Sequence, residues 1–408
     1  MTRPPRVLCI VLAGGKGSRL GPLTEGRAKP SLPVGGHYRL IDISLSNAAH
    51  SGLTEVWVLQ QYEPHLLNEH LANGRPWDLD RTRGGFRILP PFQGEGQDGF
   101  AGGNADALAE NWSIIEAAEP DVVLVCSADH LFRFDYRGAV EAHVDGGVDA
   151  TLVTTTLPPG EDASRYMLVH TDGDRVRDVA YKPDSPDGRQ VSTEVFLYQP
   201  KALGNHLREL SRSGENLGDY GERLLPRMIE AGSVSSVDHD GYWRDLGTPA
   251  AYLAGNLDLL ADRPKMRMDD PSWAMLTSMP SRAPARVNGQ AKLDRAWLSP
   301  GSRVAGTVVN SVIGPGAVVE RGAEVRHSVL MGDVTVRSGA SVAKSVLSEG
   351  VTVGRGAHVG SPRATNPVLI GAHRRIAADA EVPTGTHLPP TAPHGLLRPR
   401  EADSSAGG

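Results

Sequence analysis

The chain is predicted to fold as an α/β domain with a mostly parallel sheet, followed by a parallel β-helix. Three observations carry this reading. From residue 7 to about residue 260, apolar strand-like runs alternate with helix-like segments across short turns, the pattern of a sheet covered by helices on both faces. Between Gly301 and Gly360, valines and glycines return about every six residues, which is the texture of stacked β-helical coils. Between these regions lies a stretch rich in Pro, Met and Ser that lacks periodicity and reads as a linker. The expected organisation is a first domain over residues 1–262, a linker over 263–287, a β-helix over 288–385 and a disordered tail over 386–408.

The elements follow in order. VLCIVLA, starting at Val7, is a fully apolar run and so a buried strand; RLIDISLSNAAHSG reads as a helix, EVWVLQQY as a strand and ADALAENWSIIEAAEP as helical. DVVLVCSADH is a second buried strand, and it ends on an acid. DATLVTTTL, YMLVHTDGDRVRDVAYKP and TEVFLYQP add strands, the middle one folded into a hairpin at Asp172-Gly173. LAGNLDLLAD closes the domain as a helix. In the repeat, Val312, Val318, Val325, Val329, Val336, Val342, Val346, Val353 and Val359 fall near the six-residue spacing, with corners at glycines such as Gly316, Gly322 and Gly339.

Composition narrows the function classes. With 408 residues, 39% of them hydrophobic and 22% charged, the chain has material for two domains with cores, and a net charge of −6 argues against a protein that coats nucleic acid. Only two cysteines occur, Cys9 and Cys126, each inside an apolar strand, so they are expected as core residues of a protein in a reducing compartment. MTRPPRVLCIVLAGG has the outline of a signal peptide, but its apolar run flows straight into a glycine-rich turn that cleavage would destroy. No apolar run approaches the roughly 18 residues of a membrane span, and a cytoplasmic protein is expected.

That glycine-rich turn is the first functional signal. A strand running into glycines, with Lys16, Arg19, Arg27 and Lys29 behind them, presents backbone N–H groups and cations to an anion, most often phosphate. The P-loop pattern is absent, and counting a dinucleotide fingerprint from Gly15 puts Leu20 where its last glycine belongs. Neither an ATPase of that type nor a dehydrogenase is indicated. What remains, AGGKGSRLGPLTEGRAKPSLPVGGHYRLIDISLSN with the later NADAL, ADH and YWRDLGTPAAYLAGNLDLL, resembles the nucleotide-sugar pyrophosphorylases, bacterial ADP-glucose pyrophosphorylases above all.

The resemblance covers residues 7 to about 375 and implies a Rossmann-like nucleotidyltransferase domain followed by a left-handed parallel β-helix. It implies an enzyme in which a sugar 1-phosphate oxygen attacks the α-phosphorus of a nucleoside triphosphate and expels pyrophosphate, chemistry that rests on positioning and charge neutralisation. The triphosphate would lie along Leu12, Ala13, Gly14, Gly15 and Gly17, with Gln61, Gly103 and Asn104 on the nucleotide side, although relatives carry Thr where Asn104 stands. Arg19 and Lys29 would be catalytic, neutralising the phosphates and the leaving pyrophosphate. Asp129, at the carboxyl end of a central strand, and Asp245 match the family's metal-binding aspartates, implying Mg2+, with Mn2+ as a substitute. Lys182 matches the lysine that grips the sugar phosphate, and Asp106 is expected only to cap a helix.

Departures from the family cluster on the sugar side. Tyr181 stands where a glutamate precedes the phosphate-gripping lysine, Tyr166 and Met167 replace Phe and Gly, and Thr193 and Glu194 replace Met and Gly. Altered hydroxyl contacts should alter the accepted substrate. The pattern implies an acceptor other than glucose 1-phosphate, and resembles the C7-cyclitol phosphate nucleotidylyltransferases of aminocyclitol antibiotic biosynthesis, specifically those that transfer GMP from GTP to valienol 1-phosphate. Two alternatives stand beside it: a glucose-1-phosphate adenylyltransferase of glycogen synthesis, and a non-catalytic regulatory homologue, which the retention of Arg19, Lys29, Asp129, Lys182 and Asp245 disfavours. A hexapeptide-repeat acyltransferase lacks a conspicuous catalytic histidine. His37, where relatives place an activator-binding lysine, argues against glycolytic activation. The expected partners are a nucleoside triphosphate, a sugar-like or cyclitol 1-phosphate and further copies of the chain in a dimer or tetramer.

Overall fold

The computed structural model describes residues 3–15, 17–90, 103–212 and 216–391. Lys16 and the tail from residue 392 onward lie outside the described residues. The first domain is built on one nine-stranded sheet. Its strands are β1 (Val7–Ala13), β2 (Glu55–Gln60), β3 (Gly85–Leu89), β4 (Val122–Ser127), β6 (Ala150–Thr156), β7 (Met167–Asp172), β8 (Arg175–Tyr181), β9 (Gln190–Tyr198) and β10 (Val234–Asp238), while β5 (His130–Phe132) and β11 (Trp243–Asp245) form a separate ribbon. The order across the sheet is β3-β2-β1-β4-β9-β6-β10-β8-β7.

The half β3-β2-β1-β4 is parallel. Its strands are continuous apolar runs because both faces are covered, and two cores result, one on each side of the sheet. Beyond β4 the sheet is mixed: β9 runs antiparallel to β4 and β6, and β7 and β8 make the hairpin expected around Asp172-Gly173. The predicted helices form where their end signals stand. Asp42 accepts from the Arg39 amide at 2.8 Å at the start of Leu40–His50, and Thr248 with Pro249 starts Pro249–Asp258. ADALAENWSIIEAAEP divides into two helices, Asn104–Glu110 and Trp112–Ala117, joined at Asn111. Cys9 and Cys126 are buried free thiols. Among the described residues no helix is long and apolar enough to cross a membrane.

The second domain is the left-handed parallel β-helix. Successive coils pair residues 17 apart, as the buried serines Ser311, Ser328 and Ser345 show, the amides of Ser328 and Ser345 each donating to the serine hydroxyl one coil back. Val308, Val325, Val342, Val359 and Val382 stack in register inside it. Not every valine of the repeat points inward. Val318 faces outward between Arg303 and Thr335, and the row Val312, Val329, Val346 and Leu369 packs against Leu20, Leu23 and Tyr252 of the first domain in one continuous core. The coils continue past residue 385, to the strand His387–Leu388 paired with Leu369 and Ile370.

This shared core has a testable consequence. Removing residues 288–408 would strip the cover from Leu20, Leu23 and Tyr252, and the truncated protein is expected to aggregate or change its subunit count. Size-exclusion chromatography showing a soluble truncation with the parent's subunit count would contradict it.

Candidate active site

The parallel half of the sheet positions the site. β1 and β4 are adjacent and parallel, so the glycine turn after Ala13 and the acidic turn after Ser127 open at the same edge. The cleft there has a volume of about 330 Å³. After the glycines the chain makes short 3-10 turns rather than a regular helix, because Gly21, at a φ of 51°, and Pro22 break it. Gly17 takes a φ of 67°, and a Cβ there would stand 3.0 Å from the Lys29 Cβ. Its role is thus to let the Lys29 turn fold against the phosphate turn, and it does not itself line the cleft.

Lys29 is the centre of the charge arrangement. Only 4% exposed, it donates to Asp129 Oδ2 at 2.6 Å and to Asp245 Oδ1 at 3.3 Å. The antiparallel ribbon of β5 and β11 makes this possible by pairing Asp245 with His130, which places the second aspartate beside the first. Burial alone would lower the Lys29 pKa, but the two carboxylates raise it; burial would raise the Asp129 pKa, but Lys29 and then His130 hold it well below the usual carboxylate range. Arg165 adds a second cation, donating to Asp245 Oδ2 at 3.0 Å, and the exposed Arg19 lines the cleft beside them.

The remaining predicted residues divide. Leu12, Gly14, Gly15, Gln61, Gly103 and Asn104 line the cleft, and so do Tyr166, Tyr181, Lys182 and Glu194. Gly103 packs so tightly that a Cβ would meet the Gly218 backbone at 2.2 Å. Ala13 lies in the core, and Thr193 turns away, its hydroxyl donating to the Val153 carbonyl at 2.9 Å; neither lines the cleft. Asp106 does more than start a helix: it accepts from the amides of Leu217 and Gly218 at 2.7 and 3.0 Å and ties that loop to Asn104–Glu110.

That loop carries Asp219, which sequence reasoning missed. Its carboxylate accepts from the Asn104 amide at 3.1 Å and from the Tyr181 hydroxyl, and Lys182 in turn donates to that hydroxyl. Burial and Asp219 together push the Tyr181 pKa far up, so the hydroxyl stays protonated. Tyr166 packs edge-on to Trp243 with ring centroids 5.5 Å apart, its pKa raised to about 12 by burial and then Asp245. Arg165 and His130 are likewise absent from the predicted site, since the ADH segment gives His130 no role of its own and no local pattern marks Arg165.

A glycine turn at the carboxyl end of a parallel strand, with a buried lysine between two aspartates across from it, defines a transferase site built for phosphates. The chain belongs to the nucleotidyl transferase family, whose model matches residues 8–262, and a GlmU-like C-terminal hexapeptide model matches residues 287–383. It is similar to the glucose-1-phosphate adenylyltransferase of Pseudothermotoga lettingae, 39% identical over 322 residues that cover 78% of this chain and 76% of the relative. It is also similar to the proteins of that name from Thermotoga maritima, 38% identical over 322 residues (78% and 76% covered), and Clostridioides difficile, 35% identical over 331 residues (80% and 86% covered).

Proposed function

We propose that this nucleotidyltransferase acts on the 1-phosphate of a glucose-like ring other than glucose itself, a cyclitol 1-phosphate such as valienol 1-phosphate, with GTP as the nucleotide donor. The observation that carries the reading is the division of the cleft. Its phosphate half, with Arg19, Lys29, Asp129 and Asp245, has the cations and carboxylates the transfer needs, while its other half presents a tyrosine hydroxyl already engaged by Asp219. A second reading is glucose-1-phosphate adenylyl transfer from ATP. The relatives' names favour it over the first, and the pocket alone sets the first against it.

In either reading the ring phosphate oxygen forms a bond to the α-phosphorus and the bond to the β-phosphate oxygen breaks, its electron pair leaving with pyrophosphate. Arg19 and Lys29 neutralise the phosphates, and Lys182, half exposed at the cleft, takes the ring phosphate. Asp129 and Asp245 meet on one Lys29 ammonium, a pairing that suits a hard divalent ion such as Mg2+. Such an ion, when bound, screens phosphate charge and orients the attack.

The test is pyrophosphate release over a matrix of ATP and GTP against glucose 1-phosphate and valienol 1-phosphate. A wide preference for glucose 1-phosphate with ATP would establish the second reading. Tyr181→Glu separates the two further. If the missing acceptor is why glucose 1-phosphate is poorly used, the substitution should shift the kcat/KM ratio toward it by roughly ten- to a hundred-fold, the worth of one charged hydrogen bond. No shift would show that Tyr181 does not select the ring.

A further inference from the structure

Three donor atoms converge at the wall of the cleft, on the side of Asp129 away from Lys29. Asp129 has two faces: Oδ2 meets Lys29, whereas Oδ1 accepts from Ser127 and lies 3.5 Å from His130 Nε2. His130 is 3% exposed and its Nδ1 lies 3.1 Å from the Thr193 carbonyl, which can only accept. Nδ1 therefore carries a proton, and Nε2 is the nitrogen turned toward Asp129. Metal-ligating histidines are held in this way, with the outer nitrogen on a carbonyl and the inner one on the ion.

Glu194 supplies the third donor. It sits at a φ of 57° in a bulge of β9, where pairing with β6 shifts between Ser192 and Val195. Its amide donates to the Ser192 hydroxyl at 3.0 Å, but among the described residues its carboxylate makes neither a hydrogen bond nor an ion pair. A carboxylate so placed lacks a cation.

We propose that Asp129 Oδ1, His130 Nε2 and the Glu194 carboxylate hold a divalent first-row transition ion such as Mn2+, at a position distinct from the Asp129 and Asp245 pair. The three donor atoms lie within 4.8 Å of one another. Ligands bonded at roughly 2.1 Å to one ion stand at most about 4.2 Å apart, so a small rotation of the Glu194 side chain closes the set. The imidazole nitrogen decides the class, because Mg2+ prefers oxygen donors alone while Mn2+, Co2+ and Zn2+ accept nitrogen. Open positions on the ion would face the cleft, where triphosphate oxygens could complete it. The site does not depend on which ring the enzyme accepts.

The experiment is titration of Mn2+ into the full-length protein without nucleotide or acceptor, reading free Mn2+ by electron paramagnetic resonance. Glu194→Gln and Glu194→Gly should each weaken Mn2+ binding ten-fold or more. The glycine variant favours the left-handed backbone at this position, so loss of binding there cannot come from failure to fold. Asp245→Asn should leave Mn2+ binding within about three-fold, and a tenfold excess of Mg2+ should compete poorly. Equal Mn2+ affinity in the wild type and both Glu194 variants would overturn the site. So would a loss in Asp245→Asn as large as that in Glu194→Gln, which would place the ion on the aspartate pair. Neither outcome touches the acceptor assignment, which the substrate matrix tests separately.

Discussion

Asp129→Asn is expected to lower kcat/KM by about 10²-fold or more while the protein stays folded. The scale follows from the charge this carboxylate organises: it holds the Lys29 ammonium at 2.6 Å and is shared by both candidate cation positions, and loss of several kcal/mol of transition-state stabilisation corresponds to that factor or a larger one. Folding should survive because Asp245 keeps Lys29 paired, at 3.3 Å, and because asparagine fills the same space. Steady-state kinetics with circular dichroism and thermal melting check both parts. Near-normal turnover in a folded Asp129→Asn protein would end its assignment to the chemistry.

Glu349→Ala should be the most damaging single change outside the cleft. Glu349 belongs to the β-helix, yet both its oxygens accept from Arg27 of the first domain at 2.7 Å, and Arg39 Nη1 lies 3.8 Å away. Arg27 is 4% exposed and two residues from Lys29, so this contact fastens the β-helix to the turn that carries the central lysine. Taking the carboxylate away from the buried Arg27 guanidinium, with the partly exposed Arg39 beside it, costs on the order of 3–5 kcal/mol. Because two domains are involved, the loss should appear as a lowered or split unfolding transition in calorimetry. A single transition at the parent's temperature would refute it.

The same contact predicts a pH dependence. Burial would raise the Glu349 pKa, but the charge and hydrogen bonds of Arg27, with Arg39 behind them, hold it at about 2. A carboxylate depressed in the folded state contributes fully above its unfolded pKa of roughly 4.3, and that contribution is lost as pH falls toward 2. The stability gap between the parent and Glu349→Gln should therefore be constant from about pH 7 to pH 5 and narrow progressively below. A gap that stays constant down to pH 3 would show that ionisation of Glu349 is not its source.

How far the sequence reads is set by distance along the chain. The glycine turn, the buried strands, the helix starts at Asp42 and Thr248 and the valine spacing of the β-helix are all written within a few residues of themselves, because backbone preference and burial periodicity are local. The acidic end of β4 and the YWRD segment could be found for the same reason, and so could the position of Tyr181 beside Lys182. What the sequence by itself determined was thus the two folded units, the glycine turn and some of the charged groups around it, Arg19, Lys29, Asp129 and Asp245 among them. Only the tertiary structure decided which of them meet: Lys29 with Asp245 across 216 residues, Arg165 with Asp245 across 80, Tyr181 with Asp219 across 38 and Arg27 with Glu349 across 322. The direction of individual side chains was likewise settled there, turning Thr193 away from the cleft into the sheet, Val318 outward and Glu194 toward Asp129 and His130. The physical reason is that a charge carries no local periodicity; its partner is set by which strands lie side by side and which turns open at the same edge.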